Sequence, residues 1–229
     1  MRIAVLGTGM VGRALANRFA GLGHDVIVAT RDVGATLARR EASEMGTPPF
    51  SQWQQAHPDI RLLPLSEAGA HAEIFVNATS GASGLSALEA VGTKNLVGSI
   101  VLDLALPLDF SQGMPPILTI ANDDSLGERI QRAFPDARVV KTLNTMFAEV
   151  MVDPGRIPGK HSIFVAGEDR DAKDVVTSLL AEFGWPEEAV IDLGGIRAAR
   201  ATEMYMQLYF ALVGAMGGSF DFNIAVVRA

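Results

Sequence analysis

Apolar residues recur along this chain in short unbroken runs, and between the runs their spacing changes to that of helices. The first run, residues 3–6, is followed by Val11, Leu15, Phe19 and Leu22 at helical intervals, with Gly23 placed to stop the helix. Residues 25–29 form a second, β-branched run that ends in Thr30-Arg31-Asp32. Strand, helix and strand within about 30 residues is the length that a right-handed βαβ unit needs. A polar helical stretch through Arg40 comes next, and a loop with Pro and Trp at residues 47–58 ends the regularity. Apolar runs return at 60–65, 74–78, 100–104, 117–120 and 138–143, with helical patterns between several of them, as at 125–134 ahead of Pro135. Continuous apolar strands alternating with helices predict an α/β fold whose doubly wound, mostly parallel sheet is covered on both faces.

After about residue 150, Pro154, Pro158 and two glycines mark a linker. A strand at 161–166, a helix at 171–183, a strand at 190–193 and a long helix from about Ile196 follow. The expected division is a nucleotide-binding domain over 1–150 and a small α-rich extension over 151–229. The extension is too short for a core of its own and is read as packing on the first domain and completing its site. Its last helix carries Met204, Leu208 and Leu212 on one stripe and Tyr205, Tyr209 and Val213 on another. Apolar on two sides, it fits an internal core or the interface of a homodimer equally well.

Composition narrows the function. At 48% hydrophobic and 20% charged residues over 229 positions, with mean hydropathy +0.24, the chain is not a disordered one. Nineteen basic against 26 acidic residues give a net charge of −7 and no basic run, which argues against a nucleic-acid partner. Cysteine is absent, so disulfides, thiolate metal sites and a cysteine nucleophile are excluded, and a reducing cytoplasm suits the chain. No stretch approaches the roughly 18 apolar residues of a membrane span. The four histidines, at 24, 57, 71 and 161, have no metal-ligand spacing and read as surface residues. Asp123-Asp124 and Glu187-Glu188 read as solvated turns.

The candidate chemistry begins at Gly7-Thr8-Gly9-Met10-Val11-Gly12, directly after the first strand and directly before the first helix. In that place Gly7 permits the tight turn and Gly9 lets a pyrophosphate approach the backbone. Gly12 lets helix and strand pack closely, so that free N–H groups face the anion. The end of the second strand selects the dinucleotide. An NAD site puts a carboxylate there, whereas this chain has Thr30 and then Arg31, a hydroxyl and a guanidinium suited to the 2′-phosphate of NADP. Asp32 is the competing ribose acid, expected to lie past the strand and to cap the next helix. Three further strand ends face the same edge: Asn77-Ala78-Thr79-Ser80-Gly81, Ala105-Leu106-Pro107 and Asn144-Thr145-Met146. Asn77, Ala78, Thr79, Asn144 and Ala148 are the candidate cofactor contacts there, with Asn144 also a candidate for positioning the reacting groups. Each Thr, Ser or Asn is equally well an ordinary loop cap.

Residues 1–32, the Val139–Met146 stretch, the 164–169 segment and the Asp192-Leu193-Gly194-Gly195-Ile196 run with Arg200 and Glu203 together resemble the NADP oxidoreductase family dependent on coenzyme F420, in the family's order and over nearly the whole chain. The resemblance implies a Rossmann domain, NADP, and a deazaflavin stacked on the nicotinamide as redox co-substrate. Asp32 stands where family members often have a second basic residue, and some have His in place of Asn144. Hydride transfer between two flat rings asks for stacking, alignment and water exclusion more than for a general acid. Met146 and Phe147 could wall a flat substrate or simply belong to the core. Two other readings compete. A reductase of a small carbonyl or imine would use a lysine on a helix of the second domain, but no lysine follows Lys173, and Arg197 and Arg200 are poor acids. Lys141, near a strand end, reads as a surface or structural charge. A non-catalytic NADP sensor or redox-complex subunit is the other.

Overall fold

The computed structural model describes residues 1–43 and 46–227. The chain runs β1 (Arg2–Leu6), α1 (Met10–Gly21), β2 (Asp25–Thr30), α2 (Val33–Ala38), α3 (Phe50–Ala56), β3 (Arg61–Pro64), α4 (Leu65–His71), β4 (Ile74–Asn77), α5 (Gly81–Val91), α6 (Thr93–Leu96) and β5 (Ile100–Asp103). A small hairpin, β6 (Leu108–Asp109) and β7 (Ile117–Leu118), leads to α7 (Leu126–Ala133), β8 (Arg138–Thr142) and α8 (Ala148–Val152). The remainder supplies β9 (Ile163–Ala166), α9 (Arg170–Phe183), β10 (Val190–Asp192), α10 (Ala199–Met204) and α11 (Met206–Ala215).

Ten strands make two sheets among the described residues, and the large one has the order β10-β9-β8-β5-β4-β1-β2-β3. Strands β1–β5 and β8 are parallel, while β9 pairs antiparallel with β8 and parallel with β10. The strand order reverses between β1 and β4, and in open α/β sheets ligands bind in the crevice outside the carboxyl ends at such a point. Apolar side chains leave both faces: Ile3, Val5, Val28 and Val76 enter one core, Ala4, Leu6, Ile27 and Phe75 the other. That two-sided burial is why these strands read as unbroken apolar runs rather than as alternating ones.

Four expectations need correction. Residues 117–120 do not join the large sheet. Pro115 and Pro116 remove two ladder donors just before β7, and the Thr119 N–H turns to the Pro107 carbonyl at 2.8 Å. The 47–58 loop contains α3, which Pro49 opens and whose Phe50 is buried in the core with Trp53 packed beside it. The long final helix begins as a 3-10 turn at Ile196–Ala198 and divides at Tyr205 into α10 and α11. Its two stripes separate: Tyr209 and Val213 are buried, whereas Leu208 is 55% exposed. Nor are the histidines simply surface residues. His24 pairs with Glu182 at 2.7 Å, His57 meets the Trp53 carbonyl at 2.7 Å and His161 the Pro154 carbonyl at 3.0 Å, while His71 lies 3.5 Å from the Asp25 carboxylate. No described helix is long and apolar enough to cross a membrane.

Candidate active site

Gly7 sits at φ +119°, a conformation that L side chains avoid, and a Cβ there would lie 2.6 Å from the Ala78 carbonyl oxygen. A Cβ on Gly12 would collide with the Gly7 carbonyl oxygen. Gly9 differs: nothing lies within 4 Å of its Cβ position, so the space above it is open. Gly9 is also the N-cap of α1, and no side chain caps that helix. Side chains of Asp32, Ser125 and Asp169 close α2, α7 and α9, while several other helices also lack a side-chain cap; α1 is set apart by the open space at its glycine N-cap. The free N–H groups and positive end of α1 therefore face open space, the arrangement that accepts an anion.

Thr30 and Arg31 share a cavity of about 200 Å³ with Gly7, Gly9 and Thr79. The Thr30 hydroxyl lies 3.0 Å from that of Thr36, and Arg31 is exposed and makes no ion pair among the described residues. Asp32 is turned away: its carboxylate accepts from the Ala35 N–H at 2.8 Å as the N-cap of α2. A second cavity of about 360 Å³ adjoins the first through Thr8, Gly9 and Ala78–Ser80, and Met10 and Val11 line it. It adds Arg13 and Arg39, which the sequence reading did not single out. Arg13 is tied beneath the loop, its Nε donating to the Thr8 carbonyl at 2.8 Å and its Nη1 to that of Pro48 at 2.7 Å. Burial, and then the neighbouring Arg39, push its guanidinium below the ordinary value. An arginine one turn into the helix after the glycines was the available signal. A cavity of about 970 Å³ lies elsewhere, beside Pro154, Trp185 and Val226, and is lined by none of the glycine-loop, Thr30 or Asn144 residues.

The ends of β4, β5 and β8 carry a buried polar network. Asn77 is fully buried; its Nδ2 donates to Asp103 at 2.8 Å and its Oδ1 accepts from the Thr79 hydroxyl at 2.8 Å. The Asn77 side chain is thus engaged inside the protein, while Ala78 and Thr79 line the cavities. Lys141, read as a surface or structural charge, is completely buried. Its Nζ meets Asp103 Oδ2 at 2.9 Å and Glu203 Oε1 at 2.8 Å and also donates to the Ala105 carbonyl. Burial alone would lower its pKa, but the two carboxylates outweigh that and hold the ammonium above its ordinary value. Glu203 further accepts from the Leu126 and Gly127 N–H groups, which open α7.

Beyond Lys141 the chain turns sharply. Leu143 has φ +63°, rare for a residue with a branched side chain, and such strain concentrates at functional sites. Asn144 is buried, and among the described residues its Nδ2 and the buried hydroxyls of Thr142 and Thr145 have no hydrogen-bond partner. These atoms are closed off from the surface, and Asn144 lines neither of the two cavities beside the glycine loop. Ala148 is buried at the start of α8, which packs on α1. Met146 belongs to the core; Phe147 stacks on Phe220 with ring centroids 5.2 Å apart. Phe220, Phe222, Tyr205, Tyr209 and Phe210 form an aromatic cluster with Leu106 and Leu108, a roof beyond the ends of β5 and β8. Among the described residues the hydroxyls of Tyr205 and Tyr209 have no partner, and burial pushes both phenols up. Of the remaining charges, Arg200 forms a two-pronged pair with Glu128 at 2.6 and 2.7 Å, and Asp124, expected to be solvated, holds Arg129 and Arg132.

The glycine loop and the cavity at the end of β2 fit NADP, through the open space at Gly9 and the uncapped start of α1. Comparison with known proteins agrees. Residues 2–107 match the family model described as NADP oxidoreductase, coenzyme F420-dependent. A candidate F420-dependent NADP reductase of known structure from Arthrobacter sp. FB24 is 53% identical, covers 100% of both chains and superposes with a TM-score of 0.93. The F420-dependent NADP reductase of Methanothermobacter marburgensis is 28% identical over 217 residues, 93% of this chain and 92% of its own. An imine reductase from Myxococcus stipitatus, 14% identical with a TM-score of 0.61, covers 94% of this chain and 64% of that chain, and it shares the fold alone. The chain belongs to the family of NADP oxidoreductases that depend on coenzyme F420.

Proposed function

We propose that the protein transfers a hydride between NADP(H), held along residues 7–12 and at Thr30 and Arg31, and a deazaflavin of the F420 type as its redox co-substrate. One observation carries the reading: the uncapped N-terminus of α1 opens onto the cavity of Thr30 and Arg31, while Asp32 is spent on capping α2. Gly7, Thr8, Gly9, Met10, Val11 and Gly12 present backbone to the pyrophosphate. Ala78 and Thr79 flank it, with Asn77 fixing their turn from behind and Ala148 packing beneath. Asn144 orients the nicotinamide end. The nicotinamide and the deazaflavin supply the hydride chemistry; the protein binds, aligns and excludes water. A lysine-assisted carbonyl reduction finds no support, because Lys141 is wholly engaged inside the protein.

The reading assigns residues 1–150 to the dinucleotide and 151–229 to an extension that walls the acceptor side with its aromatic cluster. The same extension is the proposed homodimer interface. Leu208 and Met216 are exposed at 55% and 49%, Phe110, Met114 and Ile117 in and around the hairpin are exposed too, and a second copy would cover them. Light scattering at micromolar concentration is expected to give a dimer, and a monomer would end that assignment. For the chemistry, NADPH is offered with a deazaflavin, flavins, ferric chelates and small carbonyls. Oxidation with the deazaflavin alone is expected, and turnover with none supports a sensor. NADPH should bind at least about tenfold tighter than NADH, a gap of roughly 1.4 kcal/mol that Arg31→Ala largely removes. Equal affinities in the unaltered protein would sink the clamp.

A further inference from the structure

The residues at the ends of β4, β5 and β8 form one uninterrupted polar chain. It starts in the nucleotide cavities at the Thr79 hydroxyl and passes through Asn77 to Asp103, then through Lys141 to Glu203 on α10. There Glu203 holds the first two N–H groups of α7. Every link is 3.0 Å or shorter, and Asn77, Asp103, Lys141 and Glu203 are each at most 1% exposed. No part of the proposed hydride transfer uses a proton or a charge from this chain of groups.

Its ends lie in different parts of the molecule. Thr79 belongs to the turn that flanks the dinucleotide. Glu203 belongs to α10, which continues directly into α11 and so into the aromatic roof beyond β5 and β8. An apolar filling of the same space would be at least as stable, because burying two carboxylates and an ammonium costs about as much as their attraction returns. What such a network supplies is a fixed direction and spacing, since each buried charge tolerates only one set of partners.

We propose that Lys141 is a positioning residue that couples the dinucleotide turn to α10, so that NADP binding sets the place of the aromatic roof at the acceptor side. This inference rests on the NADP reading above. The coupling is a free energy between two sites and works in both directions: a bound nucleotide steadies α10, and an ordered α10 favours the bound nucleotide, while a displaced α10 misplaces the roof against the second substrate.

Hydrogen exchange of residues 199–204, with and without saturating NADP⁺, tests it, alongside direct NADP⁺ titration and steady-state kinetics with F420. In the unaltered protein NADP⁺ should slow exchange there by about tenfold. The triple variant Asp103→Asn, Lys141→Met, Glu203→Gln removes all three charges while keeping their approximate shape. It should bind NADP⁺ within about threefold of normal, lose the protection of 199–204, and raise the KM for F420 by about tenfold. Thr79→Val should also lose the protection at saturating NADP⁺, and Thr79→Ser, which keeps the hydroxyl, should retain it. That pair decides the matter if the triple variant does not fold. A folded triple variant with normal protection and normal KM overturns the proposal. So does unaltered protein that binds NADP⁺ without any change in 199–204, an outcome that leaves the NADP reading intact. Failure of the unaltered protein to bind NADP⁺ removes that reading, and the coupling with it.

Discussion

The two stretches of the sheet's carboxyl edge solve their polar problems in opposite ways. At β1 and β2 the working groups are backbone: an uncapped helix, three glycines and open space, with ionisable side chains confined to the rim. At β4, β5 and β8 they are side chains, three of them ionisable and all buried. Backbone donors must be reached, so the first stretch is built around missing Cβ atoms. Buried charges must be matched, so the second is built around partners. A single substitution should therefore always weaken binding on the first side, with stability lost only where a Cβ collides, and chiefly damage folding on the other.

The sharpest way to break this contrast is Lys141→Met. Removing one member of the buried network strands two carboxylates, which costs about 3–5 kcal/mol. For a chain of this size the melting temperature should fall by about 10 °C or more. The triple neutral variant should recover most of that loss in the same thermal scan. A single variant as stable as the unaltered protein would show the network to be solvated and the contrast false.

On the other edge Gly12→Ala and Gly9→Ala should separate. The first collides with the Gly7 carbonyl and should lose about 1–3 kcal/mol of stability together with most NADPH affinity. The second meets nothing within 4 Å in the protein, so its melting temperature should not move while NADPH binding weakens about tenfold or more. Isothermal titration beside thermal unfolding distinguishes the two; equal stability losses would mean that the loop is packed rather than open.

Asp32→Ala should remove a helix cap worth about 1 kcal/mol and leave the preference for NADPH over NADH unchanged. A shift of that preference in a binding titration would return Asp32 to the ribose. The smallest effect is electrostatic. Although burial opposes it, Arg129 and Arg132 pull the Asp124 carboxyl down to about 2 from its ordinary value of 3.8. A depressed carboxyl stabilises the fold above the unfolded value, and the contribution is lost as pH falls through 4 toward 2. Replacing both arginines by Ala should lower the melting temperature slightly near neutral pH, the pair being partly exposed, and the two melting curves should converge as pH falls through 4 toward 2.

Much of the first edge was legible because its causes are local. The glycine spacing, the stop at Gly23 (φ +86°), the Thr30-Arg31 pair and the cap at Asp32 all depend on neighbours a few residues away. Helix α3 went unread because Pro49 looks like an ending, although proline also suits the start of a helix. The burial of Lys141, a structural charge rather than a surface one, was hidden for a different reason. Its first partner is 38 residues away in sequence, and the Glu203 that joins it caps a helix 77 residues distant. Nothing near a lysine in the chain shows that it will be buried against two carboxylates.

The sequence by itself determined the doubly wound sheet, its glycine loop and the placing of Thr30 and Arg31 at the end of the second strand. Short-range sterics and the periodicity of burial act within each βαβ unit, and both are written in order along the chain. Only the tertiary structure decided that β9 turns antiparallel, that the final helix divides its stripes between core and surface, and that three charges meet behind the strand ends. Those features depend on which distant segments exclude water together, and burial of that kind belongs to the folded chain as a whole.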